Sequence, residues 1–593
     1  MLVLVALAQA EGETVSRDEL VDQCWNGRIV GDDSINRVIS KLRRLSERHA
    51  NCFAIQTISK VGYRLEADET SVVVAPVSRT SSQHLGAQWN ITVLKLSQRR
   101  ILIGASFAAF LGGAAILMLQ HYSVVTSHQR PVINVDPFTV AGPGIPPELA
   151  VQVRAETADL LANERFYAVS LAPPGVGAKP DWRIAGTITS TDNGRRVVVF
   201  AQLLRSGSNV SVAELRIDRD ARQALLARSF GLRIGRTSGC VLLTVTNPDL
   251  TGGFVEAGLP ALVDSCMTWH DKATSIAARI ERFQAASAAF PRSAYFPARL
   301  GEMFGDQAAD GAGRSPALRA QGAHYVSVAE AIDPTQPHIF LAKARLLQPL
   351  NFTGREAFFR KALKARPTDC ACEFGDYSTF LSMVGRNREA WDFAERAREK
   401  EPKNISWLRR AGEAAGASGK FDAAKSNLAD VAGYLPDPST LDARRMNLAI
   451  WSGNWEQAYQ MNDREPDLTL RILQVALIHS LALGNPRRIE AAGIPFLARA
   501  RSDLTNDRAT VSALALSKHD SDAVSSALRL IERHPTNLPV LYEPAFESAR
   551  RTPDFARAVG KLGLVDYWHR VGKLPDFCLD PNAPAICAQV LKN

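Results

Sequence analysis

Catalytic signatures are missing from this 593-residue sequence. It contains no H-E-x-x-H, no G-x-S-x-G and no G-x-x-x-x-G-K-[ST]; ASGKF at 417–421 lacks both the leading Gly and the following Ser or Thr. Zinc-hydrolase, serine-hydrolase and P-loop chemistry therefore have no residues to work with, and neither an enzyme nor a bound cofactor or metal is expected. Low-complexity composition is absent too: hydrophobic residues make up 46% and charged residues 22%, and Gly and Pro number 39 and 31, which excludes collagen-like and wholly disordered chains. The start, MLVLVALAQA, is apolar but short and carries no basic residue, so it does not read as a cleaved signal peptide.

The length admits about three or four domains of roughly 150 residues. Net charge is +9, a modest excess whose clustering matters more than its size. Ile101 to Leu119, ILIGASFAAFLGGAAILML, is uncharged, and no charge follows before Arg130. About 20 such residues match a hydrocarbon thickness of roughly 30 Å, so a single transmembrane helix is expected over 99–121. Lys95, Arg99 and Arg100 precede it, which places the N-terminus in the cytoplasm of a bacterial inner membrane and everything beyond in the periplasm. Gly104, Ala108 and Gly112 form a small-xxx-small face suited to a homodimer, although small residues are common in such helices.

Ahead of that stretch, Ser16 and Glu19 form an S-x-x-E capping box that opens a helix through about Trp25. From Ser34, the apolar positions Ile35, Val38, Ile39, Leu42 and Leu45 recur at helical spacing and leave Asn36, Arg37, Ser40, Lys41, Arg43 and Arg44 toward the other side. Ile55–Ile58, a turn through Gly62, and Tyr63–Leu65 then read as a hairpin, with Gly62 supplying turn flexibility. Residues 28 to 64 hold eight Lys or Arg against three acids, a net +5 suited to phosphate. Helix, loop, basic helix and hairpin outline a winged helix-turn-helix.

The runs VSRDELVDQCW, SINRVISKLRRLSE and IQTISKVGYRL resemble, in order and at compatible spacing, the C-terminal effector domain of OmpR/PhoB-type regulators. The resemblance implies that residues 34–46 form a recognition helix in the major groove of double-stranded DNA, with the hairpin as a wing at an adjacent minor groove. It assigns DNA contact to Asn36, Arg37, Ser40, Lys41, Arg43 and Arg44, and to Ser59, Lys60 and Tyr63 on or beside the wing. Relative to that family the chain starts inside the first helix, so an N-terminally truncated α+β winged helix is expected over 1–66, with no receiver domain before it. Residues 67–98, rich in Ser, Thr, Val and Gln, read as a linker.

Residues 131–235 read as α/β, with strands at 133–138, 182–189, 196–204 and 210–217 and helices at 146–165 and 218–229. Asp181-Trp-Arg-Ile-Ala-Gly186 and the start Val135-Asp-Pro-Phe138 resemble TolB-N-like periplasmic domains. Beyond 274 a period emerges: Pro334, Pro367, Pro402 and Pro436 are spaced 33, 35 and 34, Ala357, Ala390, Ala424 and Ala458 are spaced 33, 34 and 34, and Gly385, Gly419 and Gly453 are spaced 34 and 34. That is the period of tetratricopeptide repeats, so an all-α solenoid is expected over 274–560 with a groove for a protein or peptide partner, followed by a tail at 561–593.

Among the cysteines, Cys240 with Cys266 and Cys578 with Cys587 are candidate disulfides, although spacing leaves the connectivity open. Cys370 and Cys372 would diverge by about 200° on a helix and are expected to be packed small residues. The whole resembles a ToxR/CadC-type membrane-integrated one-component regulator, which would bind a promoter, act on RNA polymerase and sense an outside signal. The alternative is a membrane-tethered repeat scaffold whose truncated head no longer binds DNA.

Overall fold

A computed structural model of the chain describes separate residues between 3 and 43, the segments 53–58 and 61–67, and residues 130–591 with short gaps. The chain divides into two compact units, Met1–His121 and Tyr122–Asn593.

In the first unit, β1 (Val15–Ser16), β2 (Phe53–Ile58) and β3 (Gly62–Ala67) form an antiparallel sheet in the order β1-β3-β2. The apolar periodicity does what helical spacing demands: Ile35, Ile39 and Leu42 are buried together with Val3, Leu7, Leu20, Ile55 and Tyr63 in one core. The strand β1 had no sequence signal, since two residues are too few for an alternation to show.

The second unit begins with a six-stranded sheet. β4 (Val132–Val135) lies between β6 (Ala168–Ser170) and β7 (Trp182–Thr191), parallel to both; β5 (Thr139–Ala141) also runs parallel to β7. β8 (Arg196–Arg205) and β9 (Ser211–Asp220) continue it antiparallel. Along β8, Val197, Val199, Ala201 and Leu203 point into the core while Phe200 stays outside, the alternation of a sheet covered on one face. The helix expected at 218–229 does not form there. β9 runs on to Asp220, held beside β8 by the Arg196–Asp218 ion pair at 2.8 Å, and the helix α2 covers Leu226–Thr246. It packs on α1 (Pro147–Ala162) so closely that a Cβ at Gly231 would lie 2.4 Å from the Glu156 Cβ. The hydrophobic core continues past residue 235 through Phe304.

From Ile276 onward the structure is helical hairpins. Their first helices include α3 (Tyr295–Ala309), α4 (Pro337–Leu346), α5 (Cys372–Met383), α6 (Ile405–Ala417), α7 (Asp442–Trp451), α8 (Leu468–Ala482) and α9 (Arg508–Leu516). Gly385, Gly419, Gly453 and Gly484 follow four of these with φ of 77°, 78°, 69° and 63°, the left-handed cap that glycine adopts without steric cost. Ala390, Ala424 and Ala458 are fully buried where paired helices meet, whereas Ala357 is exposed and does not take the same role.

Residues 564–591 fold back rather than trailing as a tail. The Trp568 indole donates to the Val384 carbonyl at 2.8 Å, and the Asp576 carboxylate accepts from the Arg388 backbone N–H at 2.7 Å. Glu356 lies at the centre of this closure, accepting from Tyr377 (2.7 Å), Arg386 (2.9 Å) and Tyr567 (2.8 Å). Disulfides join Cys240 to Cys266, Cys578 to Cys587 and Cys370 to Cys372. The last pair corrects the expectation of packed small residues: Cys370 precedes α5, and Ala371, at φ 48° and ψ 23°, turns the chain so that the two sulfurs meet.

Among the described residues no helix is long and apolar enough to cross a membrane. The described residues thus run against the expected single transmembrane helix, the single-pass inner-membrane arrangement and the periplasmic placement of the second unit, since none of their helices could supply the span. Even the 21-residue α2 carries Arg228, Arg233 and Arg236 and buries one side against the protein. Residues 99–121 lie outside the described residues, as does most of the linker at 67–98.

Candidate nucleic-acid interface

The site is built where the basic helix meets the hairpin. At its base, the Ser16 N–H donates to the Glu19 carboxylate at 2.8 Å and the Glu19 N–H to the Ser16 hydroxyl at 3.2 Å, the reciprocal capping box. These bonds hold the Glu19 carboxyl below the ordinary carboxylate range. Ser16 also ends β1, opposite Gly62, so the start of the helix that precedes the basic one is pinned to the sheet.

Gly62 earns its place by close approach rather than turn flexibility. A Cβ there would lie 1.9 Å from the Val15 carbonyl oxygen and 2.8 Å from the Ser16 Cα, so only glycine lets β1 cross β3.

Arg43 fixes the helix to the wing. Its Nε and Nη2 donate to the Ile55 carbonyl at 3.0 and 2.8 Å, and Nη2 also donates to Thr57 Oγ1 at 2.7 Å. All three bonds go to β2, so the guanidinium positions the helix against the wing. Tyr63, at 2% exposure, is likewise a core residue, with its ring among Val15, Ile39 and Ile55. The sequence reading missed these roles because charge and aromaticity are signals for DNA contact and for packing alike. Next to Tyr63, Arg64 Nη2 donates at 2.9 Å to Gln56 Oε1, its directly opposed neighbour on β2. Ser40 is exposed, on the side away from Ile35, Ile39 and Leu42. Asn36, Arg37, Lys41, Arg44, Ser59 and Lys60 lie outside the described residues.

In the second unit, ion pairs link the first helices of successive hairpins. Arg345 on α4 reaches Asp306 on α3 at 2.6 Å and Asp376 on α5 at 2.5 Å. Glu413 on α6 accepts from Arg409 at 2.9 Å and from Arg444 on α7 at 2.5 Å. Burial pushes the Glu413 carboxyl up, but Arg409 and Arg444 pull it down to about 2. No group of three metal-ligating side chains occurs among the described residues.

Residues 1–65 match the family described as transcriptional regulatory protein, C terminal. The N-terminal domain is an OmpR/PhoB-type winged helix. The Transcriptional regulator HilA of Salmonella typhimurium is 37% identical over 82 residues, 14% of this chain and 14% of that protein, and the HilA of Salmonella paratyphi A matches to the same extent. Protein PsaE of Yersinia pseudotuberculosis is 26% identical over 87 residues, 15% of this chain and 41% of that protein. The chain thus spans about a seventh of the length of the HilA regulators it matches, and the likeness is confined to a stretch of winged-helix length.

Proposed function

We propose that the protein is a transcription regulator that binds promoter DNA through its winged helix and responds through its helical second unit to a protein or peptide partner. The observation that carries this reading is the docking of the helix containing Arg43 onto β2, with Ser40 exposed on its outer side. A helix held against the wing by Arg43 and by the buried Ile35, Ile39 and Leu42 presents its other face to a groove, and helical periodicity assigns Arg37, Lys41 and Arg44 to the face of Ser40. In this reading Asn36 and Arg37 read base edges, Lys41 and Arg44 hold phosphates, and Ser59 and Lys60 bring the wing tip to the backbone. Two heads on paired half-sites would raise affinity through effective concentration, and RNA polymerase is the machinery on which such a head acts. The ion-pair ladder along α3 to α7 is the surface proposed for the partner.

The experiment is selection of genomic DNA fragments by the full chain across a salt series, set against the triple variant Arg37→Ala/Lys41→Ala/Arg44→Ala. Enrichment of defined fragments, lost in the triple variant, is the expected result. Each lost phosphate contact should flatten the dependence of log affinity on log salt by about 0.9. Binding that is weak, unselective and indifferent to the triple change would favour the alternative, a repeat scaffold with a head that no longer binds DNA.

A further inference from the structure

The disulfide between Cys370 and Cys372 closes around a single residue, and it differs in kind from the other two. Cys240–Cys266 ties α2 to another helix across a separation of 26 residues, and Cys578–Cys587 closes a loop with a separation of 9. Cross-links of that type restrict the unfolded chain, and the restriction shrinks as the loop does. A separation of 2 restricts almost nothing. This bond instead holds Ala371 in the left-handed region, which non-glycine residues rarely occupy and which clusters at functional sites.

Its surroundings are polarised. Cys372 is the first residue of α5, a 12-residue helix, and is 5% exposed. Its backbone N–H donates to Thr368 Oγ1 at 2.9 Å, and its sulfur lies 3.9 Å from Arg299 Nη1. Arg299 is buried, held by Glu302 at 3.0 Å with His338 at 3.1 Å, and Lys400 pairs with Glu373 at 2.9 Å on the other side. Cys370 is more exposed, and its carbonyl accepts from the Trp407 indole on α6 at 3.0 Å. Cys370 is therefore the less buried of the two, and Cys372 sits where a guanidinium and a helix N-terminus favour negative charge.

We propose that Cys370–Cys372 is a thiol–disulfide exchange site whose reaction partner is a dithiol, with Cys370 as the attacked sulfur and Cys372 as the leaving group. A thiolate of the dithiol attacks Cys370 Sγ and forms a mixed disulfide. The bond between Cys370 and Cys372 breaks, and Cys372 leaves with the electron pair as a thiolate beside Arg299. The second thiolate of the dithiol then attacks its own sulfur in the mixed disulfide and releases Cys370 as a thiolate. Two electrons pass from the dithiol, which departs as a disulfide, and the two cysteine thiolates take protons from solvent as the pH dictates. Opening frees Ala371 from its left-handed conformation, so the Cys370 carbonyl no longer has to face Trp407, and the change is transmitted to α6.

The test uses the full chain, titrated with dithiothreitol and read by differential alkylation and mass spectrometry. Cys370–Cys372 is expected to open at a concentration at least about tenfold below that needed for Cys240–Cys266 or Cys578–Cys587. Opening together with the others, or after them, would overturn the proposal. Cys372→Ser incubated with glutathione disulfide should carry the mixed disulfide on Cys370, and no adduct would count against Cys370 as the attacked sulfur. Cys370→Ser leaves Cys372 as a thiol, whose thiolate absorbance, taken as the difference from the double variant Cys370→Ser/Cys372→Ser, should show a midpoint at least about one pH unit below 8.5. A midpoint at or above that value would refute its role as leaving group. Should either variant fail to fold, the wild-type titration alone decides.

Discussion

Replacing Gly62 by Ala tests the account of the winged helix at its narrowest point. The new Cβ would sit 1.9 Å from the Val15 carbonyl oxygen and 2.8 Å from the Ser16 Cα, and all of these are backbone atoms with no rotamer to yield. An ordinary contact needs well over 3 Å, so β1 must move off β3. That breaks the pairing of Val15 with Tyr63 and of Ser16 with Gly62, about two backbone hydrogen bonds at roughly 1 kcal/mol each. It also uncovers part of Val15, about 1 kcal/mol more. The sum, about 3 kcal/mol, approaches what one small hydrophobic core supplies in all, roughly 3–5 kcal/mol. Hydrogen–deuterium exchange on the full chain reads this locally: amides of β2 and β3 should exchange on the order of 100-fold faster, with those of the second unit unchanged. Selective DNA binding should fall in parallel. Gly194→Ala serves as the control, since nothing lies near its Cβ and only its φ of 83° is strained, a cost of about 1–2 kcal/mol confined to the β7–β8 turn. Unchanged exchange in β2 and β3 of Gly62→Ala would refute the close-approach argument.

Arg43→Ala removes three hydrogen bonds to β2 and should cost the N-terminal domain about 1.5–3 kcal/mol by the same exchange measurement, while leaving the salt slope of residual DNA binding in place; a flattened slope would mean that Arg43 reaches phosphate after all. Glu356→Gln takes the charge from a buried carboxylate that holds Arg386, Tyr377 and Tyr567, and because Arg386 keeps Glu389 at 2.6 Å the loss should be about 2–3 kcal/mol; an unmoved urea midpoint for the second unit would show that the closure by residues 564–591 does not depend on it. Acid should weaken the second unit in a defined window. Burial raises Glu302 and Glu413, yet their arginines pull both down to about 2, below the unfolded value of 4.5, so their contribution is whole above pH 4.5 and disappears as the pH falls toward 2. Thermal unfolding should drop as the pH falls from 4.5 toward 2, less steeply in Glu413→Gln, and equal slopes over that range for the variant and the parent would contradict the assignment.

Local regularities were legible in the sequence wherever one physical cause dominates. The spacing of Ile35, Ile39 and Leu42 has no explanation but a buried helical face, and the Ser16–Glu19 pair has little use except as a capping box. The glycines at 385, 419 and 453 announced helix ends because a left-handed cap excludes nearly every other residue. Legibility failed where one residue type serves two ends. Arg43 and Tyr63 fit a DNA face by charge and ring, but their partners Ile55 and Val15 are distant in sequence, and only tertiary contact shows that they hold the domain together. Ala357 fits the period of its fellows, yet it is exposed, and its neighbour Glu356 is the buried residue there. The pair at 370 and 372 was read with the periodicity of a helix that starts only at the second cysteine, and a one-residue error in that boundary reverses the conclusion from diverging side chains to a bond. Hence the residues most open to misreading are those at the ends of elements, where a cap, a close approach or a cross-link replaces the regular geometry. Gly62, Ser16 and Cys372 all occupy such ends, and the proposed DNA interface and exchange site are both built on them.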